Sequence, residues 1–236
     1  MVTTRASSSR AASVEPSFAS SLPPATPSAK RIARSKSNKS SSSSASSAFS
    51  HAPTTATLVW LAVSLPLVIW DTGYVLLRPL SMPGGSLHWP VWAPYKLYGE
   101  VDHIYGWKAF HAGNGFTSAQ GLLNAIETLM YLWYLAAWLF SSKTEGGARV
   151  LSGRGGARAT LFGYAAAVMT LSKTVLYWAN EYYSGFDNIG HNPLNDLILL
   201  WIIPNGAWLV GPTYMIWSIG GDLINSLNST SRSKRD

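Results

Sequence analysis

Cysteine is absent from the 236-residue chain, so the protein is neither a disulfide scaffold nor a cysteine-ligated zinc finger nor a thiol enzyme. Charge is also scarce. Asp, Glu, Lys and Arg make up 12% of the residues, and 11 acids face 18 bases, for a formal charge of +7. Apolar and aromatic surface takes their place, with 47% hydrophobic residues and 11 Trp. A mean hydropathy near zero averages two unlike parts, a polar, basic N-terminal fifth and an apolar remainder.

Residues 1–55 are mostly Ser, Ala, Thr and Pro, and up to His51 they hold seven Lys and Arg against one acid, Glu15. Such a stretch cannot bury a core, and a disordered cytosolic tail is expected. Nucleic acid is not an expected partner, because Phe18 and Phe49 are the only aromatics and the charges are scattered. Pro16, Pro23, Pro24 and Pro27 interrupt the amphipathic helix that a mitochondrial presequence would need. Ser13 and Ser35, near Arg10 and Arg34, are candidate phosphorylation sites where added negative charge would weaken attraction to anionic lipid.

Beyond the tail, four stretches (57–77, 116–140, 161–179 and 197–219) are apolar over the roughly 20 residues that a helix needs to cross a bilayer core. The expected fold is an all-α membrane protein, a bundle of four or five transmembrane helices over 56–221 followed by a cytosolic C-terminal tail over 222–236. Lys and Arg number 14 across the N-terminal tail, the 141–160 connection and the C-terminal tail. Three, Arg78, Lys96 and Lys108, fall on the other side, which puts both termini in the cytosol. The sequons at Asn38 and Asn228 should then stay unmodified.

Polar residues inside such stretches are costly in hydrocarbon and therefore informative. Thr117, Gln120, Asn124, Glu127 and Tyr131 recur at helical steps of three and four, as do Thr170, Lys173, Tyr177 and Asn180. Trp201, Asn205, Trp208 and Pro212 share a third stripe, and Asp71 sits beside Trp70 and Tyr74. Four helices with one polar or aromatic face each imply a bundle around a pocket. Thr117, Gln120 and Asn124 suit either that pocket or interhelical hydrogen bonds worth about 1 kcal/mol each. Glu127 falls near mid-bilayer, whereas Lys173 stands close enough to the lumenal end of its helix for partial snorkelling. Two readings of these charges remain open. One is a structural ion pair of Lys173 with Glu127 or Asp71; the other is a buried acid beside a compensating cation, able to give and take a proton.

Prolines and glycines forbid a continuous helix through the 78–113 connection. Trp89, Trp92, Tyr95, Tyr98, Tyr105 and Trp107 read there as an aromatic belt at the membrane surface. Glu181, Asp187 and His191 lack a tight ligand spacing, so neither metal nor cofactor is expected.

Several of these residues fall into a wider pattern. Trp92-x-x-Tyr95, Asp102-x-x-Tyr105, Phe116-Thr117 and Glu127-Thr128 are followed by Val175-Leu176-Tyr177, Glu181, Gly185-Phe186, His191-x-Pro193-Leu194 and Asn205-x-x-Trp208-Leu209-Val210-x-Pro212. Over roughly residues 65–221 this resembles the EXPERA domain family, its sterol Δ8-Δ7 isomerase (emopamil-binding) branch more than its sigma-2 receptor branch. The resemblance implies a small helical bundle in the endoplasmic reticulum membrane with a sterol-sized cavity open to lipid. It further implies an isomerase that shifts a ring double bond by protonation and deprotonation, or else a non-catalytic sterol- or lipid-binding or trafficking protein. Carried over by position, Glu127 and Asp71 would be the catalytic acids, and Trp208, next to Asn205, the ring that stabilises a carbocation. Leu67 stands where the isomerase branch has a His, and Asp71 where it has Glu. Lys173, Tyr177, Gln120, Asn124 and Asp102 complete the candidate ligand-binding set. The expected partners are a sterol or related lipid and the bilayer, and a homodimer is compatible with such a bundle.

Overall fold

The computed structural model describes residues 49–232. The tail up to residue 48, with Ser13, Ser35 and the Asn38 sequon, lies outside the described residues, as do the last four residues, Lys234 among them. The short strand β1 (Ser50–His51) leads into α1 (Thr55–Leu76), and the following connection contains two short helices, α2 (Tyr95–Val101) and α3 (Trp107–His111). Next, α4 (Phe116–Ser141) passes through β2 (Lys143–Glu145) and β3 (Ala148–Ser152) into α5 (Gly153–Tyr183). A last long segment comprises α6 (Leu194–Asp196), a π-helical stretch (Leu197–Ile202) and α7 (Ile203–Arg232).

Four segments, Thr55–Leu76, Phe116–Ser141, Gly153–Tyr183 and Leu194–Ser229, are long and apolar enough to cross a membrane. The expected apolar stretches are therefore all helical. In the last one the helix runs on into the expected C-terminal tail: residues 222–232 continue α7, since neither Gly nor Pro follows Gly221 to break it.

Local chemistry fixes the helix ends. At the start of α1 the Thr54 Oγ1 accepts a hydrogen bond from the Thr57 N–H at 3.1 Å. At the end of α5 the Phe186 N–H donates to the Glu181 carbonyl at 2.8 Å and the Gly185 N–H to the Tyr182 carbonyl at 3.3 Å. That pairing is a Schellman motif, with Gly185 left-handed at φ 68°. Gly146 and Gly147, both at positive φ, turn β2 back on β3 in a two-residue hairpin.

The hairpin corrects the all-α expectation. The 141–160 connection forms part of a small sheet of order β1-β3-β2, with Ser50 opposite Ser152 and His51 opposite Leu151. His51 is buried, its Nδ1 lying 2.7 Å from Asp222 Oδ2 and its Nε2 2.8 Å from the Tyr134 hydroxyl. Burial lowers the His51 pKa, against the opposing pull of Asp222. The entry to α1, the hairpin and the later turns of α7 thus meet at one end of the bundle. At the other end Lys108 pairs with Asp187 at 2.9 Å and the His103 N–H donates to the Asn188 carbonyl at 3.1 Å, which joins the two opposite connections.

Leu61 and Leu65 of α1, Tyr131 and Tyr134 of α4, Ala159, Ala166 and Ala167 of α5, and Met215 and Ile219 of α7 form the main core. Small residues set the helix spacing, as in membrane bundles generally. A Cβ on Gly163 would stand 2.9 Å from the Tyr134 ring, and one on Gly211 would stand 2.3 Å from the Trp60 ring. Gly211→Ala must therefore displace Trp60, at a cost of about 1–3 kcal/mol. The expected outcome is a lower unfolding midpoint in detergent, partly restored when Trp60→Leu is added. An unchanged midpoint for the single variant would show that this contact does not set the spacing.

Candidate functional site

The stripes of α1, α4, α5 and α7 converge, with α2, on a cavity of about 430 Å³, within the usual range for small-molecule sites. Of the expected site residues, Asp71, Gln120, Asn124, Lys173, Tyr177, Asn205 and Trp208 lie on its wall, whereas Glu127 and Asp102 do not.

A chain of polar contacts runs inward from Asp71. Its Oδ1 accepts from the Tyr95 hydroxyl at 2.6 Å and its Oδ2 from Asn124 Nδ2 at 3.0 Å. Asn124 Oδ1 in turn accepts from Lys173 Nζ, which also donates to Glu127 Oε2 at 2.8 Å. The Thr170 hydroxyl lies 2.8 Å from the same Glu127 oxygen. Lys173 therefore does not snorkel. Its side chain is only 9% exposed and turns into the bundle, where Asn124 and Glu127 supply the acceptors that water would supply elsewhere. Glu127 stands behind Lys173 and off the cavity wall, so its expected direct contact with a ligand is not part of this geometry.

Removing one member of a buried pair leaves the other charge uncompensated, at a cost of about 3–5 kcal/mol. Lys173→Met and Glu127→Gln should each lower the unfolding midpoint in detergent, and the double variant should lose clearly less than the two losses added together. Strict additivity would show that the contact carries no coupling energy.

Asp102, expected among the ligand-binding residues, also lies off the cavity wall. It is fully buried behind the wall, and its Oδ2 accepts from the Tyr177 hydroxyl and, at 2.9 Å, from Trp201 Nε1. Its Oδ1 accepts from the Ile104 N–H at 3.1 Å. The carboxyl thereby clamps the end of α2 to α5 and to the π-helical stretch. Burial pushes its pKa up to about 6, although the Tyr177 and Trp201 hydrogen bonds pull the other way. A carboxyl that is harder to ionise in the folded chain binds more protons there than when unfolded. Its contribution to stability therefore falls as pH rises through the window from the ordinary carboxylate value to about 6. Asp102→Asn should flatten that slope, as read from unfolding midpoints across the window, and an unaltered slope would assign it to another group.

The tyrosines of the first connection also depart from expectation. Trp89 is 78% exposed, as a surface belt requires, but Tyr95 is 5% exposed, and Tyr95, Tyr98 and Tyr105 line the cavity. Tyr95 stacks on Tyr74 at 3.8 Å between ring centroids. Trp70 Nε1 donates to the Val91 carbonyl at 2.8 Å and Trp92 Nε1 to the Trp70 carbonyl at 3.1 Å, fastening the connection onto α1. Burial raises the pKa of Tyr95 and of Tyr98, with the neighbouring Asp71 and Asp102 respectively adding to it, so both phenols remain donors. A sequence signal for them existed in the three-residue spacing of Tyr95 and Tyr98 on the turn that Pro94 starts, with the exposed Leu97 between them.

The cavity opens sideways. Leu67 of α1, Leu97 of α2 and Leu199 of the π-helical stretch are wall residues, yet they are 43%, 55% and 62% exposed. Helices α1 and α7 touch through the edge-on Trp60–Trp208 pair and the hydrogen bond from the Tyr214 hydroxyl to Thr54 Oγ1 at 3.1 Å. The wide π-helical turn precedes Pro204, which has no N–H to donate. Asn205 Nδ2 instead donates to the Trp201 carbonyl at 2.9 Å, which steadies this side of the opening.

No family model, curated protein or solved structure matches this chain.

Proposed function

We propose that the chain is a multi-pass membrane protein of the endoplasmic reticulum, and that it admits a sterol or a similarly flat lipid through the side opening and shifts a ring double bond in it. The observation that carries this reading is the wall: one carboxyl, Asp71, in a largely apolar and aromatic cavity whose rim is leucine. Exposed leucine around a mouth suits hydrocarbon better than water. Four apolar helices support the membrane assignment, and the basic residues in the sequence of the N-terminal tail, the 141–160 connection and the C-terminal end support cytosolic termini. The resemblance to EXPERA proteins supports the compartment and the substrate class.

In this reading the acid form of Asp71 gives its proton to one alkene carbon, and the positive charge forms on the neighbouring carbon. The rings of Trp208, Tyr98 and Tyr105 lie on the wall where they can stabilise that cation. The Asp71 carboxylate, held by Tyr95 and Asn124, then removes a proton from the next carbon, which restores the acid and completes the shift. Glu127 acts at one remove by holding Lys173, whose ammonium group steadies the transient carboxylate.

A specific observation favours a second reading, a non-catalytic lipid carrier or sensor. Both Asp71 oxygens already accept hydrogen bonds, and the wall has Leu67 where the isomerase branch has a His. Sterol profiles from cells lacking their own Δ8-Δ7 isomerase, together with binding of a radiolabelled Δ8 sterol to the purified full chain, separate the two. Isomerisation predicts conversion by the wild type and at least a roughly 100-fold loss in Asp71→Asn with binding kept. Binding without conversion by the wild type would leave the carrier reading, and absence of binding would defeat both.

A further inference from the structure

Glu127 has a second oxygen that the Lys173 contact leaves unused. Its Oε1 is buried with no hydrogen-bond partner among the described residues, and so is the hydroxyl of the adjacent Thr128. Glu127 is 2% exposed and Thr128 is 7% exposed. Both residues line a second, much smaller pocket of about 10 Å³, together with Ser64 of α1, Tyr131 of α4 and Thr170 of α5. That is room for a single water-sized guest. The rest of its wall is Trp60, Leu65, Val68 and Trp208, so the small pocket and the large cavity share Val68 and Trp208.

Charge decides which guest fits. Glu127 bonds the Lys173 ammonium directly and Asp71 reaches it through Asn124. The bonded cluster is therefore neutral while Asp71 holds its proton and one positive charge short of neutral once Asp71 is ionised, which is the form that would take a guest cation. Arg78, the next cation, is bonded to the Val75 carbonyl and the Ser118 hydroxyl rather than to either acid. A water would satisfy the two idle oxygens and leave the charge imbalance in place. A small bare cation answers both, and an uncompensated buried charge is the costlier defect. The polar side chains of the pocket, one carboxylate and four hydroxyls, are all oxygen ligands, as a hard monovalent cation requires.

We infer that this pocket is a binding site for one sodium-sized monovalent cation, held by Glu127 Oε1 and the Thr128 hydroxyl with help from Ser64, Tyr131 and Thr170. The site does not depend on which lipid, if any, occupies the larger cavity. The test uses the purified full chain in an uncharged detergent, without lipid ligand, at fixed pH and ionic strength. Unfolding midpoints are compared in sodium, potassium and choline chloride. Sodium is expected to raise the midpoint by at least about 3 °C over choline. Thr128→Val should abolish that difference while unfolding in choline at or above the wild-type temperature, because it removes a buried hydroxyl that has no partner. Thr128→Ser should keep the sodium effect. Equal wild-type midpoints in the three salts would overturn the inference and leave a water or a proton as the guest, and this comparison needs no variant. A sodium effect that survives Thr128→Val would overturn it too, by placing the ion elsewhere.

Discussion

The contact between Lys173 and Glu127 is the constraint on which the other arrangements depend. Neither charge has a place in an apolar bundle alone, so α4 and α5 must approach with their polar stripes facing each other. With those stripes in register, Asn124 can take a Lys173 hydrogen on one side of its amide and give one to Asp71 on the other. Three helices are thereby held by one polar chain. The space left beside it, where α7 departs from α1 beyond the Trp60–Trp208 contact, becomes the cavity.

The first connection completes that space. Indole N–H groups of Trp70 and Trp92 fasten it to the end of α1, and Asp102 fastens it to α5 and the π-helical stretch. Tyr95, Tyr98 and Tyr105 then present buried phenols and ring faces to the interior, and the leucines on the same elements stay outside. The result is a wall with one carboxyl and one ammonium among aromatic surfaces, reached from the side.

Much of this was legible in the sequence because burial imposes a helical period on polar residues. The run Thr117, Gln120, Asn124, Glu127 and Tyr131 is buried throughout, as its spacing requires. The spacing could not say which acid reaches the cavity. Glu127 and Asn124 share a face one turn apart, and only the packing of α5 decides that the lysine comes between Glu127 and the open space. Asp102 was readable as an important acid but not as a clamp, since its partners lie 75 and 99 residues away. The tyrosines of the connection were obscured by tryptophans that do belong at a surface. The hairpin was signalled by Gly146-Gly147, a pair that allows the positive φ of a two-residue turn, but the flanking segments have no alternating pattern to mark them as strands.

The account holds that the cavity takes a lipid from the side, with Asp71 at its wall and Glu127 behind Lys173. Photo-crosslinking the full chain in membranes with a diazirine-bearing sterol, followed by peptide mass spectrometry, reads this directly. Adducts that cluster on wall residues such as Leu67, Leu199 and Trp208, spare Glu127 and are displaced by excess unlabelled sterol are the predicted result. Adducts spread over the outer helix faces, undiminished by competitor, would contradict it.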